Sequence, residues 1–223
     1  RYKSILINNV RSCLIIGIYV VTVGLNKPSY SKKNFSEINR KILFTLQLVN
    51  DFNKEINERY VKTIEKLIDN NSEYLLSNNY EIIFKHHPRY ASEICPKINI
   101  NQNFVSFDDK TPLSELFNKV SLHMTFHSTC AFDAASIGLP TIFVDMHESF
   151  SPGEMFLNQY QYPCNDLVIK DYMNFKQILK NINNEKIYNH YCDDVYEWSK
   201  EFYHDFDEEA FTNFLLDRIN KHN

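Results

Sequence analysis

SLHMTFHSTCAFDAASIGLPTIFVD, residues 121–145, is the stretch that decides the predicted fold. Its hydrophobic pattern predicts a strand over Leu122–Phe126, a small-residue helix over Cys130–Ile137 and a second strand over Thr141–Val144. Gly138-Leu139-Pro140 ends the helix, since glycine and proline both interrupt helical structure. Strand, helix and strand with few loop residues make a βαβ unit, which predicts a parallel sheet with helices packed against it.

The polar turn His127-Ser128-Thr129 lies between the first strand and the helix. We expect the first N–H groups of the helix to be unpaired there, with the hydroxyls of Ser128 and Thr129 beside them. Such a turn binds anions well, most often a phosphate. A plain helix N-cap explains the same two residues equally well, so both interpretations stay open at this point.

A second stretch, YEIIFKHHPR over Tyr80–Arg89, reads as a strand that ends in a basic, imidazole-rich loop. Parallel strands share one carboxyl edge, so this loop and the Ser128-Thr129 turn can line one crevice. Alternation along a strand allows only one of His86 and His87 to face a given crevice, and we expect His87, next to the proline, to do so. The alternative is that Lys85 and Arg89 are ordinary solvated charges and that His86 or His87 caps a neighbouring carbonyl.

The pair His87-Pro88, followed about forty residues later by Ser128-Thr129, Phe132-Asp133-Ala134-Ala135 and Gly138, resembles the carboxyl-terminal, donor-binding half of GT-B glycosyltransferases. Within that group it looks most like bacterial sialyltransferases, polysialyltransferases and capsule Kdo-transferases, where a His-Pro motif and a Ser/Thr motif hold the phosphate of a CMP-sugar. CDP-glycerol-type polymer transferases are similar at the same places. The resemblance covers roughly residues 40–180.

The resemblance implies transfer of a sugar from a nucleotide-activated donor, of the CMP-sialic acid or CMP-Kdo type, to a bacterial surface glycan. His87 is the catalytic candidate and would bind the leaving donor phosphate with Ser128 and Thr129, while Lys85 and Arg89 would add positive charge. Two alternatives stay open: a CDP-glycerol-type polyol-phosphate transferase or UDP-sugar enzyme of GT-B fold, and a non-catalytic Rossmann-like binding domain.

Weaker nucleotide or ribose contacts are expected at the ends of other elements. Gln47 and Asn50 follow a predicted strand near the nucleotide, and Glu148 and Glu154 are carboxylates in the region that binds ribose in the resembled enzymes. The chain departs from the sialyltransferase pattern in lacking the acidic-acidic-glycine triplet that holds the general base. The base is therefore expected outside this set.

Composition excludes several other classes of function. The net charge is -4, from 24 Lys+Arg and 28 Asp+Glu, which gives no basic surface for nucleic acid. Four glycines leave no glycine-rich phosphate loop. Five cysteines without a CxxC pair indicate neither a disulfide framework nor a zinc site and favour the cytoplasm, with association at the inner membrane face left open. His123 and His127 are too far apart on a strand to share a metal, and no cofactor is expected.

The chain divides into three predicted parts: the end of a preceding domain and a linker (1–39), a nucleotide-sugar-binding Rossmann-like domain (40–184) and a helical tail (185–223). The apolar run Cys13–Leu25 is too short to span a bilayer and is interpreted as a strand. Because the sequence begins without Met, we expect it to be a piece of a longer protein. The GT-B resemblance implies that the missing part is the acceptor-binding half.

The remaining elements complete a doubly wound, mainly parallel α/β sheet. Strands are predicted at Lys41–Val49, Asn103–Phe107 and Asp166–Lys170, and helices at Asn53–Asn78, Leu113–Val120 and Phe175–Ile182, with Thr111 as N-cap of the second helix. Asp108 and Asp109 are either an acid/base pair or, as is more usual before a helix, turn residues. The aromatic stripe of the tail is expected to be core rather than a ligand platform.

Overall fold

A six-stranded, wholly parallel sheet forms the core of the unit that spans residues 32–198. The computed structural model describes residues 32–48, 54–88, 97–100, 102–146, 152–202 and 212–213. Within them the strands are β1 (Lys41–Thr45), β2 (Glu81–Lys85), β3 (Val105–Phe107), β4 (Leu122–Thr125), β5 (Thr141–Val144) and β6 (Val168–Ile169). Their spatial order is β3-β2-β1-β4-β5-β6, the doubly wound order of a Rossmann-like fold. The predicted fold class is confirmed.

Helices cover both faces of the sheet. They are α1 (Lys54–Ser77), α2 (Leu113–Lys119), α3 (Cys130–Ala135), α4 (Pro152–Tyr160), α5 (Tyr172–Ile182) and α6 (Glu185–Ser199). Helix α1 lies on one face, where the ring of Tyr60 stacks on Phe126 at 4.0 Å, and α5 packs beside it. The opposite face meets α2 and α4 through ring contacts of Phe117 with His123 and of Phe156 with Phe143.

The strands are buried on both faces, which explains their nearly continuous apolar sequences. The central strands β1, β4 and β5 are buried almost throughout. Register places Phe44 beside Phe84 on one side, and the two rings lie 5.6 Å apart. Phe126 approaches Phe44 from the end of β4 at 5.7 Å. These aromatic contacts join three neighbouring strands into one core.

The β4–α3–β5 unit follows the prediction closely. The observed β5 has the predicted bounds, whereas β4 and α3 end one and two residues earlier than predicted. Gly138 follows α3 with φ +68°, the left-handed region that glycine adopts without strain. A Cβ atom at Gly138 would also lie 2.7 Å from Cγ of Lys32, so a side chain there would clash. Both the backbone angle and the lack of space for a side chain favour glycine at this position.

Residues 32–198 form one compact unit, to which the site described below belongs. Helix α6 packs within it: the hydroxyl of Tyr188 donates to the carbonyl of Ser121 (2.8 Å), and Trp198 is buried. Phe35, in a short 3₁₀ helix (Phe35–Glu37), donates its N–H to Asn189 (2.8 Å). The second unit comprises residues 1–31 and 199–223, of which only 199–202 and 212–213 are described.

Of two further predictions from the sequence, one is wrong and the other concerns residues outside the described ranges. Thr111 was expected to cap α2, and this is wrong: Pro112 is the N-cap residue and makes no side-chain hydrogen bond. The backbone N–H of Thr111 instead donates to Asp108 (2.9 Å), because the turn before the helix is closed by that carboxylate. The predicted strand Cys13–Leu25 lies outside the described residues. In the described ranges no helix is long and apolar enough to cross a membrane.

Candidate functional site

The described residues of the predicted site lie at or just beyond strand ends on the carboxyl edge of the sheet: Gln47, Lys85, His87, Ser128 and Thr129. Strands β1 and β4 are neighbours, but the chain leaves β1 towards β2 and leaves β4 towards β5. Ligands of open α/β sheets bind at such a reversal, in the crevice beyond the strand ends. Strands β2, β1 and β4 are consecutive, so their ends span about 10 Å at the usual spacing. One nucleotide can contact all three.

Gln47 joins the ends of β1 and β4. Its Oε1 accepts the backbone N–H of His127 at 2.7 Å, and its Nε2 donates to the carbonyl of the same residue. Thr125 adds a longer contact from its hydroxyl to Oε1 (3.4 Å). The side-chain amide thus pairs both backbone groups of His127, as a neighbouring strand would. The loop after β4 is fixed by a side chain at the point where the regular ladder has ended.

Tyr60 of helix α1 meets the imidazole of His127. The hydroxyl of Tyr60 lies 3.3 Å from Nδ1 of His127. Burial raises the pKa of the Tyr60 phenol well above its ordinary value, and the negative charge of Asp145, just beyond β5, raises it further. Tyr60 is therefore a neutral phenol at physiological pH and carries a proton that it can donate.

The turn at Ser128 differs from the expectation that helix N–H groups would be unpaired. The N–H of Cys130 donates to the Ser128 hydroxyl oxygen (3.2 Å), and the N–H groups of Ala131 and Phe132 donate to the carbonyls of Ser128 and Thr129 (both 3.0 Å). Helix α3 has only six residues, and its first turn is tightened by 3₁₀-type hydrogen bonds between residues i and i+3. Any anion here would meet hydroxyl groups rather than a row of free N–H groups. Ser128 is half-buried and Thr129 is exposed.

The end of β2 is held by the loop that follows β3. The ammonium group of Lys85 donates to three carbonyls of that loop, those of Asp108 (3.3 Å), Asp109 (3.2 Å) and Thr111 (2.8 Å). Asp109 in turn accepts the backbone N–H of His86 at 2.7 Å and lies 2.9 Å from its Nδ1. Lys85 and Asp109 therefore fix the backbone between two strands.

Asp108 and Asp109 act as turn residues here, the more usual of the two interpretations. Asp108 accepts the backbone N–H groups of Thr111 (2.9 Å) and Lys110 (3.2 Å). Those bonds, with that to the Thr111 side chain, lower the pKa of Asp108. A carboxylate with a lowered pKa is a poor general base at neutral pH.

The remaining predicted residues have less structural description. His87 is the second residue beyond β2 and is half-buried, and Pro88 after it is exposed. Glu154 lies in the first turn of α4, and its side chain is outside the described part of the structure. Asn50, Arg89 and Glu148 also fall outside the described residues. The roles expected of these residues stay predictions.

Sequence reasoning assigned no role to His127, Tyr60 or His123. His127 was part of the predicted polar turn, whereas Tyr60 lay within the predicted helix Asn53–Asn78. His123 is fully buried on β4, with Nε2 2.8 Å from the hydroxyl of Thr45 and Nδ1 3.0 Å from that of Thr141. Burial lowers its pKa to about 3, so it is neutral. A histidine within an apolar strand was the available signal for a buried polar bridge.

The described residues contain no cluster of three or more His, Cys, Asp or Glu side chains able to hold a metal ion. The described cysteines Cys130, Cys164 and Cys192 are free thiols.

Comparison with solved structures agrees with the fold. The chain aligns over 95% of its length with a histidine-to-asparagine variant of the wall teichoic acid polymerase TagF, at 18% identity, a TM-score of 0.50 and 48% coverage of that chain. It aligns over 90% of its length with S. aureus MnaA in a co-structure with UDP, at 16% identity, a TM-score of 0.52 and 53% coverage of that chain. The chain therefore spans about half the length of either protein.

No family model and no curated protein matches the sequence. At these identities the structural matches establish the fold alone, and neither identifies the sialyltransferases or Kdo-transferases that the motifs resemble. The candidate site therefore lies on a Rossmann-like parallel sheet that matches those of GT-B structures.

Proposed function

We propose that the chain is the donor-binding half of a glycosyltransferase that uses a nucleotide-activated sugar. The observation that carries the proposal is the convergence of Gln47, His87 and Ser128 on the ends of three consecutive strands, at the reversal of strand order. The donor expected from the motifs is a CMP-linked sugar of the sialic acid or Kdo type, and the acceptor is a bacterial surface glycan. Association with the inner face of the membrane is part of the same proposal.

The proposed chemistry breaks the bond between the sugar and the donor phosphate. Negative charge accumulates on the departing phosphate, and hydrogen bonds to that charge stabilise the transition state. His87 donates to this phosphate, and the hydroxyls of Ser128 and Thr129 add two further donors. The Ser128 hydroxyl already accepts the N–H of Cys130, yet it retains its own proton to donate.

Positive charge and the general base come from elsewhere in the proposal. Lys85 acts through its long-range field, because its ammonium donates to three loop carbonyls. Arg89 adds charge from the loop after His87. The carboxylates of Glu148 and Glu154 and the polar groups of Gln47 and Asn50 are proposed contacts to the ribose or base. The base that deprotonates the acceptor belongs to the other half of a complete enzyme.

A calorimetric titration of CMP, CDP and UDP into the purified chain tests the proposal. We expect a cytidine nucleotide to bind and His87→Ala to weaken binding by about 1.5–3 kcal/mol, the value of a hydrogen bond to a charged group. His190→Ala is the matched control, since His190 is an exposed histidine one helical turn from Asp194 on α6. Equal affinity of His87→Ala and the parent chain would refute the role of His87.

Ser128 needs a variant that separates helix capping from phosphate binding. Ser128→Asp keeps an oxygen that can accept the N–H of Cys130, but it places a negative charge where the phosphate is proposed. We expect unchanged thermal stability and loss of nucleotide binding. Ser136→Ala, at the other end of α3, is the control and should leave binding intact. If Ser128→Asp still binds the nucleotide, Ser128 caps the helix and does not bind the phosphate.

Two alternatives are separated by the same titration with CDP-glycerol added to the ligands. The fold match with a wall teichoic acid polymerase favours a polyol-phosphate donor such as CDP-glycerol, and the match with MnaA bound to UDP favours a UDP-sugar. Preference for CDP-glycerol or UDP over CMP would select one of them. Absence of binding by every nucleotide would favour a non-catalytic Rossmann-like domain.

A further inference from the structure

The structure points to His127 as a second imidazole of the donor site: we propose that its Nε2–H donates a hydrogen bond to a phosphate oxygen of a nucleoside phosphate. Tyr60 and Gln47 are the positioning residues that hold His127 for this contact. The inference rests on the proposed function and names a ligand-binding residue absent from the predicted set.

The first step is the position of His127. It lies two residues beyond the end of β4. Strand β4 is the neighbour of β1, and the strand order reverses between them. Its neighbour in sequence, Ser128, is a proposed phosphate contact. His127 is half-buried, and its place beyond β4 is at the edge of the sheet where open α/β sheets bind their ligands.

The second step is the fixed backbone. Loops that follow strands normally have greater freedom than the strands themselves. Here Gln47 pairs both the N–H and the carbonyl of His127, which holds its Cα in place as a ladder partner would. Preorganised donors of this kind need no rearrangement when a ligand binds. Gln47 therefore contributes to the site through His127 as well as by any direct contact.

The third step is the protonation of the ring. The hydroxyl of Tyr60 is 3.3 Å from Nδ1 of His127, and the ring of Tyr60 is stacked at 4.0 Å and 12° on Phe126. Stacking and burial leave the phenol little freedom to turn away. When Tyr60 donates its proton to Nδ1, the neutral imidazole must carry its own proton on Nε2. Nε2–H is then a donor, the group that a phosphate oxygen requires.

The tautomer can be measured directly. Nitrogen-15 NMR of histidine-labelled full chain at pH 8 distinguishes the two neutral forms, and the His127 signal is assigned by its absence in His127→Gln. We expect the Nε2–H form in the parent chain and a mixture of both forms in Tyr60→Phe, which keeps the ring and its stacking. A His127 that carries its proton on Nδ1 would overturn the proposal.

Ligand binding is tested by titrating CMP, CDP and UDP into the full chain and its variants. His127→Ala should weaken the best nucleotide on the order of 10- to 100-fold, as expected for loss of one bond to a charged group. His127→Gln, whose amide nitrogen can occupy the place of Nε2, should recover most of the affinity, and Tyr60→Phe should lose only a few-fold. His190→Ala is again the control, and circular dichroism confirms that each variant folds.

The outcomes separate this inference from the proposed function. If the parent chain binds a nucleotide and His127→Ala binds it equally well, the inference fails while the proposed function stands. If the parent chain binds none of the three nucleotides, both fail. If His127→Ala loses binding and His127→Gln restores it, His127 is a ligand contact rather than a structural residue.

Discussion

His123 lies within the central strand β4 and His127 lies two residues beyond its end, and their surroundings favour different roles. His123 is fully buried between Thr45 and Thr141, so both of its nitrogens are satisfied inside the core. His127 lies beyond the strand, half-buried, with its backbone held by Gln47 and its ring met by Tyr60. A histidine thus bridges neighbouring strands at position 123, whereas at position 127 it lies at the edge of the sheet.

The comparison shows what burial does to an imidazole. A buried histidine without a charged partner must be neutral, and its two hydrogen bonds contribute to stability. A histidine at a strand end can exchange its protein contacts for those of a ligand. We therefore expect changes at His123 to alter stability and changes at His127 to alter nucleotide binding.

The largest effect is expected from His123→Leu, which leaves the hydroxyls of Thr45 and Thr141 without their buried partner. The free energy of unfolding should fall by about 2–4 kcal/mol, measured by urea denaturation, since an unsatisfied buried group costs about 1–3 kcal/mol. Adding Thr45→Val and Thr141→Val should recover much of the loss, because all three polar groups are then removed together. A fully stable single variant would contradict the bridging role.

The next effect is a dependence of stability on pH. The pKa of His123 is about 3 in the folded protein, below the ordinary value of 6.5. The unfolded chain therefore binds a proton between those values that the folded chain does not. The stability that His123 contributes is therefore complete above pH 6.5. As the pH falls below that value, this contribution is lost by up to about 1.4 kcal/mol per pH unit. The difference in unfolding free energy between parent and His123→Leu should shrink from pH 7 to pH 5, and a constant difference would refute this.

A smaller effect should follow Gln47→Ala, which frees the backbone of His127. Nucleotide affinity should fall roughly tenfold in the calorimetric titration, and stability by about 1 kcal/mol, the net value of typical hydrogen bonds. Gln177→Ala is a matched control, since the Gln177 amide donates to Asn181 on the exposed side of α5. Nucleotide binding unchanged by Gln47→Ala would show that the loop after β4 needs no such support.

The smallest effect is expected at the end of β2, where a carboxylate rather than an amide holds the histidine. Asp109 is half exposed, so its interaction with His86 is screened by water. Asp109→Asn should change the free energy of unfolding by less than about 1 kcal/mol and leave nucleotide affinity unchanged. A large loss of nucleotide affinity in Asp109→Asn would indicate a ligand site near β3 instead of where the strand order reverses between β1 and β4.

Local sequence patterns were sufficient for the fold. The apolar runs of β1, β4 and β5 and the helical period of α1 place these elements correctly because both signals come from neighbouring residues. Predicted ends were less accurate where side chains compete with the backbone. Strand β1 ends at Thr45 rather than Val49, and beyond it the amide of Gln47 replaces regular pairing.

The site was predicted only in part, for a physical reason. His87 and Ser128 were predicted because they follow strands and carry the expected chemistry, and their roles in binding stay predictions. Tyr60 and His127 are 67 residues apart in the chain and meet through the packing of α1 on the sheet, which no spacing in the sequence reveals. Lys85 shows the reverse case, since its charge suggested a phosphate contact while its ammonium holds the loop after β3.

The central claim is that a nucleotide binds where β1 and β4 end, and backbone amide NMR tests it most directly. On addition of CDP or CMP, the amide signals of Gln47, His127 and Ser128 should shift, whereas those of Lys41 and Ser121 at the opposite edge should not. Shifts confined to the opposite edge, or an unchanged spectrum at millimolar nucleotide, would contradict the assignment of this edge as the donor site.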